Sequence, residues 1–230
     1  PESAGSEPTS LPMVGHVSNP YRRLHADPSH VRTERLLLRR FTDADRAPFA
    51  SLNADPAVME LFPSVMTREQ SDHFVDAIES GWEERGWGPW AIGLVDTTDV
   101  RGAASGSAGP VPGFVGEAGL NPADHVAPGA IEVGWRVAHS AWGHGFAPEA
   151  ARAALRVGFE TLGLDEVISF TVPHNARSRR VMDKIGMTHR PERDFDNPRV
   201  DPVLAPHLVR HVLYSITLEE WQDASEWEPQ

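Results

Sequence analysis

The 230-residue sequence contains no cysteine, only two tyrosines and a single lysine, Lys184. The absence of cysteine excludes disulfide bridges, thiolate metal ligands and a cysteine nucleophile. No stretch approaches the roughly 20 apolar residues of a transmembrane helix, and no basic start followed by an apolar run suggests a signal peptide. We therefore expect a cytoplasmic location and no membrane partner.

The chain is acidic, with a formal net charge of −12, and 40% of its residues are hydrophobic. This length and hydrophobic fraction indicate one domain of generous size, or a domain with extensions. The negative charge argues against a nucleic-acid-binding surface and is compatible with a cationic substrate. All basic residues except Lys184 are arginines, whose planar guanidinium can bind phosphate through two hydrogen bonds.

The apolar pattern divides the chain into three parts. Residues 1–32 show no clear period and are predicted to be an N-terminal extension, residues 33–222 a domain, and residues 223–230 a C-terminal tail. Inside the domain, the stretch near 97–113 is rich in Gly, Ser and Ala and is predicted to be a flexible hairpin insertion. The remaining segments read as strand, two helices, three strands, helix, strand, helix and one or more strands. This order predicts an α/β (α+β) fold with a mixed sheet.

Capping residues mark several helix ends. Thr67 and Gln70 have the spacing of a capping box, and Asn175 precedes the helical segment ARSRRVMDK. Gly163 and Gly186 stand where two helical patterns stop. We therefore expect helices to begin after Thr67 and Asn175 and to end before the two glycines.

The segment AWGHGFAPEAARAAL (141–155) places Gly143 and Gly145 directly before a predicted helix. A helix N-terminus offers unpaired N–H groups and a partial positive charge, and glycine lets the backbone approach an anion closely. Pro148 falls in the first helical turn, where its missing N–H costs nothing. The segment is therefore either a phosphate-binding site or a simple strand-to-helix turn.

Three kinds of phosphate loop compete for this segment. A P-loop of the form G-x-x-x-x-G-K-[ST] does not occur in the chain. A dinucleotide-binding fingerprint, G-x-G-x-x-G, needs a third glycine at the position of Pro148. It also follows an early strand, whereas this segment lies past the middle of the chain. The third form, [QR]-x-x-G-x-[GA], is matched in its last part by WGHGFA (142–147), with Gly145 and Ala147 in the defining positions.

With this loop the chain resembles the GNAT superfamily of N-acetyltransferases, and within it the RimJ/RimL type. The resemblance covers about residues 33–222, and its most specific pieces are IEVGWRVAHSAWGHGFAPEAARA and VPHNARSRRVMDKIGM, in the expected order and separation. It implies the GNAT fold, a central mixed and mostly antiparallel sheet flanked by helices, with acetyl-CoA as co-substrate. The chain departs from the loop pattern at Trp142, where Gln or Arg is usual.

The resemblance also implies where acetyl-CoA binds. The N–H groups of residues 143–147 and the helix after them would hold its pyrophosphate, and further contacts would come from the preceding strand and from the next helix. The cofactor-binding residues implied in this way are Trp135, Arg136, Val137, Trp142, Gly143, His144, Gly145, Phe146, Ala147, Asn175, Ser178, Arg179 and Lys184.

An amine acceptor requires a group that takes up its proton. Alternation along AIEVGWRV puts Glu132, Gly134 and Arg136 on one face of a strand, and the resemblance places Glu132 at the position of the catalytic base. Because an ordinary Glu pKa is about 4.3, burial near Trp135 would have to raise it, or a water would have to relay the proton. Glu117, on the preceding strand, is the alternative base.

The leaving thiolate requires a proton donor or a hydrogen bond. The usual GNAT acid is a Tyr, and its position here is Met182, which cannot donate a proton. The resemblance offers the hydroxyl of Ser178 instead.

His207 and His211 are four residues apart, but their segment reads as a strand and lacks the Glu of H-E-x-x-H, so we expect no metal. Direct transfer in a ternary complex is the expected mechanism.

The implied acceptor is a primary amine, either a protein N-terminal α-amine or a small-molecule amine. Removing the proton at neutral pH costs about 4–5 kcal/mol for a Lys side chain and about 1 kcal/mol for an α-amine. This difference favours an α-amine, or a small amine of similar pKa, over a Lys side chain. A non-catalytic acyl-CoA-binding sensor or scaffold of the same fold is the alternative, because the loop requires binding only. The partners considered are acetyl-CoA, the amine and a second copy of the chain in a homodimer.

Overall fold

The computed structural model of the chain describes residues 27–95 and 113–226. Its strands are β1 (His30–Arg32), β2 (Leu36–Arg39), β3 (Pro89–Leu94), β4 (Phe114–Pro122), β5 (Ile131–Val137), β6 (Glu166–Thr171), β7 (Thr188–His189), β8 (Phe195–Asp196) and β9 (Arg210–Thr217). Its helices are α1 (Asp43–Asn53), α2 (Pro56–Met59), α3 (Arg68–Arg85), α4 (Phe146–Arg156), α5 (Ala176–Lys184) and α6 (Leu218–Glu226).

The strands form one sheet in the order β1-β2-β3-β4-β5-β6-β9-β7, with β8 paired to β9. Every neighbouring pair is antiparallel except β5 and β6, which are parallel. This confirms the predicted mixed, mostly antiparallel sheet flanked by helices. The parallel pair is brief: Glu132 and Ile168 are the only residues of these two strands in register. Both strands continue past this pair, so they diverge and leave an opening, the β5–β6 gap.

Helices cover both faces of the sheet. On one face, the side chain of Arg136 from β5 donates a hydrogen bond to Asn53 at the end of α1. On the other face, just after α4, a Cβ at the position of Gly158 would lie 3.4 and 3.5 Å from Leu120 and Val167, so the backbone there lies close to the sheet. The buried side of α4 is rich in alanine, which allows the helix axis to lie close to the sheet. The β5–β6 gap therefore opens between two packed layers.

The predicted helix ends are confirmed. The Thr67 hydroxyl accepts a hydrogen bond from the N–H of Gln70, and the Gln70 side chain accepts one from the N–H of Thr67. The side-chain oxygen of Asn175 accepts a hydrogen bond from the N–H of Ser178 at the start of α5. Helix α5 ends before Gly186, and a π-helical turn after α4 ends before Gly163.

Two elements cross the predicted domain boundaries, and two short strands were not predicted. β1 lies in the segment predicted as an extension and pairs with β2, and α6 runs into the predicted tail as far as Glu226. β7 and β8 were not predicted, because two residues carry no readable alternation. Residues 97–112 of the predicted hairpin insertion lie outside the described part of the chain.

Candidate active site

The glycine loop between β5 and α4 exposes backbone donors. Gly143 and Gly145 have φ angles of +80° and +79°, a conformation that L side chains rarely adopt, and Gly145 caps the N-terminus of α4. Among the described residues, the N–H groups of residues 143–147 find no hydrogen-bond acceptor. These donors and the positive end of the helix dipole are therefore free to meet an anion.

Arg35, at the entrance to β2, holds this loop in place. Its Nη1 donates to the carbonyl of His144 at 2.8 Å, and its Nε donates to Glu149 in the first turn of α4 at 2.7 Å. Glu149 also accepts hydrogen bonds from the Thr33 hydroxyl and the Arg35 N–H. Burial alone would raise the pKa of Glu149, but these hydrogen bonds outweigh it and lower the pKa. Sequence reasoning missed Arg35, because it lies 109 residues before the loop and no local pattern points to it.

Trp142, where the loop pattern usually has Gln or Arg, folds back onto β5. Its indole N–H donates to the carbonyl of Val137 at 2.8 Å. The guanidinium of Arg177, from the first turn of α5, lies 4.3 Å from the centre of the Trp142 ring and pairs with Glu60 at 2.9 Å. The Trp142 ring therefore joins the glycine loop to the start of α5, and Arg177 is a second site residue that sequence reasoning missed.

The backbone of β5 presents polar groups to the β5–β6 gap. The N–H of Ala138 donates to Val115 on β4, so strand alternation turns the backbone groups of Trp135 and Val137 the other way, toward β6. The Val137 carbonyl is taken by Trp142, whereas Trp135 lies where β6 has already diverged. Arg136 does not reach the gap, because its backbone pairs with β4 and its side chain points to α1.

The start of α5 supplies the other wall of the gap. The side-chain nitrogen of Asn175 donates to the hydroxyl oxygens of Thr171 and Ser178, at 2.8 and 3.1 Å. The Ser178 hydroxyl therefore accepts one hydrogen bond and keeps its own hydrogen to donate. Arg179 is engaged by the hydroxyl of Tyr214 and the carbonyl of Pro173, both at 3.1 Å.

The other α5 residues of interest lie elsewhere. Lys184 is in the last turn of the helix, about 12 Å along its axis from the first. It therefore stands away from the glycine loop. Met182 is 1% exposed and belongs to the hydrophobic core. The residue at the position of the usual catalytic acid therefore packs in the hydrophobic core of this chain.

Glu132 lies at the point where β5 and β6 part. Its side chain is on the face that α1 and α3 cover, and the residue is half-buried. Burial raises the pKa of Glu132 to about 7; the positive charge of Arg199 opposes this rise, and the nearby Glu117 adds to it. A carboxyl group with this pKa is well matched to proton transfer at neutral pH.

Glu117 lies on the same face of β4, directly opposite Arg136. It is only 7% exposed. Burial raises the pKa of Glu117, and this effect outweighs the opposing charge of Arg136. The structure therefore brings both predicted bases to one face of the sheet, with Glu132 nearer the gap.

The sequence profile of the acetyltransferase (GNAT) domain matches residues 35–188, more than half of the chain. The chain belongs to the GNAT acetyltransferase family. It is therefore an acyltransferase, and the family uses acetyl-CoA as co-substrate.

Several individual proteins are similar to the chain. An uncharacterized Bacillus subtilis protein, YkkB, is 31% identical over 156 residues, which are 67% of this chain and 83% of that protein. The Aspergillus fumigatus FsC-acetyl coenzyme A-N(2)-transacetylase is 45% identical over 92 residues, 39% of this chain and 37% of that enzyme. A Bacillus anthracis GNAT-family acetyltransferase superposes with a TM-score of 0.63 at 26% identity, covering 83% of this chain and 99% of its own.

The described residues of this GNAT acetyltransferase contain neither a metal-binding cluster nor a membrane-spanning helix. No group of three or more His, Asp or Glu side chains in residues 27–95 and 113–226 has an arrangement that could hold a metal ion. No helix in the same part of the chain is long and apolar enough to cross a lipid bilayer.

Proposed function

We propose that this acetyltransferase moves the acetyl group of acetyl-CoA to a primary amine by direct transfer in a ternary complex. The acceptor is a protein N-terminal α-amine or a small-molecule amine, as in the RimJ/RimL type. One observation carries the proposal: Glu132, with a pKa of about 7, lies at the point where β5 and β6 separate. The Aspergillus fumigatus relative is named an N(2)-transacetylase that uses acetyl coenzyme A, and this name supports nitrogen as the acceptor atom.

In this proposal the glycine loop holds the pyrophosphate of acetyl-CoA, which supplies the acetyl group as an activated thioester. The free N–H groups of residues 143–147 donate to phosphate oxygens, and each charge-assisted bond contributes about 1.5–3 kcal/mol. Arg35 fixes the loop through His144 and adds a positive charge beside Gly145, where its Nη2 lies 3.4 Å from the position of a Cβ. The open backbone groups of Trp135 face the pantetheine arm in the β5–β6 gap.

Glu132 is the proposed general base. A carboxyl group with a pKa of about 7 is roughly half ionised at neutral pH, so it can accept the amine proton. An α-amine needs less help than a Lys side chain, because its pKa of about 8 leaves a larger neutral fraction. Glu117 is the less favoured base because it is almost completely buried opposite Arg136.

Ser178 is the proposed donor to the departing thiolate. Asn175 donates to its oxygen, so the hydroxyl hydrogen remains free to point at another acceptor. Met182 cannot contribute, since it has no proton to give and is packed in the core. The thiol of the product has an ordinary pKa of about 8.5, so its anion leaves with modest help.

The deciding experiment measures thiol release from acetyl-CoA with the purified protein and a panel of amines. The panel contains peptides with free N-termini, amino acids and polyamines, and N-terminally blocked peptides are the matched controls. We expect release that depends on a free amine and is lost in Glu132→Gln. Release that is independent of any amine, or tight acetyl-CoA binding without release for any member, contradicts the proposal.

A further inference from the structure

Arg136 is a buried cation with an unused donor. The residue is 8% exposed, and its Nη1 donates to the side-chain oxygen of Asn53. The rings of Phe62 and Phe74 lie 4.5 and 5.4 Å from the guanidinium carbon. Its Nε is buried and has no hydrogen-bond partner among the described residues. A buried charged donor without an acceptor is costly, so its retention indicates a partner that the chain itself does not supply.

The nearest carboxyl group does not fill this role. Glu117 stands directly opposite Arg136 on β4, but neither a hydrogen bond nor an ion pair joins these two described side chains. Removing both groups from water without bonding them to each other leaves each charge poorly compensated. The donor that an oxygen anion from outside the protein can reach is Nη2 of Arg136, which donates to no described residue and is not one of the buried unpartnered atoms.

The surface between Arg136 and Glu132 is open. Gly134 lies between them on the same face of β5, and a Cβ there would meet only the side-chain nitrogen of Asn121, at 3.9 Å. Asn121 is itself paired in register with Glu132. The strip from Glu132 over Gly134 to Arg136, the acceptor trough, therefore has a polar residue at each end and no side chain on its floor. Its two ends are about 13 Å apart at Cα.

We propose that the acceptor trough binds an amine that carries a carboxylate, with the carboxylate on Arg136 and the amine at Glu132. This inference rests on the proposed function for the position of the amine. The length of the trough favours acceptors in which several bonds separate the two groups, such as ω-amino acids or short peptides, over α-amino acids. The aromatic rings beside Arg136 exclude water, which strengthens its bond to the carboxylate.

The test compares ω-amino acids, from glycine to 6-aminohexanoate, with n-alkylamines of the same chain lengths, using thiol release from acetyl-CoA. We expect kcat/KM to favour the carboxylate series by about ten- to a hundredfold at the best length, as for one charge-assisted hydrogen bond. Arg136→Met removes this preference by raising KM for the carboxylate series alone, and Arg136→Lys retains part of it. Arg156→Met, an exposed arginine in the last turn of α4, is the matched control and leaves the preference intact.

A measurement on the unmodified protein covers the case in which Arg136→Met does not fold. Hexanoate, which has the carboxylate without the amine, should inhibit competitively against the amine and should raise the melting temperature of the complex with acetyl-CoA. Equal rates for the two series together with no effect of hexanoate overturn the inference while leaving the proposed function standing. If no amine supports thiol release, the proposed function fails, and stabilisation by hexanoate that is full in the wild type and weaker in Arg136→Lys still decides whether the carboxylate site exists.

Discussion

Arg35 donates a hydrogen bond of 2.8 Å to the carbonyl of His144, 109 residues further along the chain. The same guanidinium is bonded to Glu149 in the first turn of α4. These bonds tie the edge of β2 to both ends of the turn that leads into the helix. The conformation of the glycine loop therefore depends on a residue that is distant from it in the sequence.

Arg35→Leu should weaken acetyl-CoA binding by about tenfold, because it removes a charge-assisted hydrogen bond to the loop and a positive charge beside it. The effect should appear in the dissociation constant, measured by calorimetry, with kcat for a saturating amine little changed. Glu149→Gln should weaken binding in the same direction, and the double variant should be less than additive because the two residues form one network. Additive effects, or a loss confined to kcat, would show that the network does not position the loop.

Gly145→Val should abolish stabilisation by acetyl-CoA, because a β-branched residue is strained at φ +79° and its side chain meets Arg35. In the wild type, acetyl-CoA at a hundred times its dissociation constant should add about 2.7 kcal/mol to stability, whereas NAD and ATP should add much less. Gly129→Val is the control, since Gly129 has a similar φ of +74° and no atoms near its Cβ position. That variant should lose comparable stability but keep the acetyl-CoA shift in a thermal melt.

Glu132→Gln should lower kcat by about 10²–10⁴-fold, the range for loss of a general base, with little change in acetyl-CoA affinity. Since the pKa of Glu132 is about 7, its ionised fraction rises with pH through that value. The ratio of wild-type to variant rate, measured with one peptide acceptor from pH 5.5 to 9, should therefore rise through about pH 7 and then level. A ratio that stays flat near one would transfer the role to Glu117 or to water.

The same substitution should also change stability with pH. Burial raises the pKa of Glu132 from an ordinary 4.5 to about 7 in the folded protein, so the folded state holds a proton that the unfolded chain releases. The ionisation of Glu132 therefore lowers the stability of the wild type as pH rises from 4.5 to about 7. Glu132→Gln lacks this ionisation, so its stability does not fall for this reason. Relative to wild type, the variant should gain stability between pH 4.5 and 7 and keep a constant advantage above pH 7. Denaturant midpoints that differ equally at pH 4.5 and pH 8 would contradict the shifted pKa.

Ser178→Ala should lower kcat by about tenfold to a few hundredfold, less than the loss of a full general acid, because a thiolate leaves with modest help. Met182→Tyr should not rescue this variant and should instead destabilise the fold, because Met182 is 1% exposed and a Tyr ring would overpack the core there. Unchanged kcat in Ser178→Ala with weaker acetyl-CoA binding would reduce Ser178 to orienting the pantetheine arm. The measurement is steady-state thiol release at saturating amine.

Much of the local structure could be read from the sequence. The caps at Thr67 and Asn175, the turn at Gly143 and Gly145, and the shared face of Glu132 and Arg136 all depend on residues within one turn or one strand. The period of a helix or strand and the φ preference of glycine act over these short distances. The resemblance to the GNAT superfamily added the mixed, mostly antiparallel sheet, which the structure confirms.

The long-range features could not be read in this way. Three of them follow from how distant segments pack. Arg35 reaches His144, β5 diverges from β6 after Glu132, and the side chain of Arg136 turns away from the gap. The pKa of Glu132 likewise depends on burial by the layers around it and on Arg199, a charge 67 residues further along the chain. Sequence periodicity determines which face a side chain takes, whereas only the packed structure determines what stands opposite that face and how much water remains there.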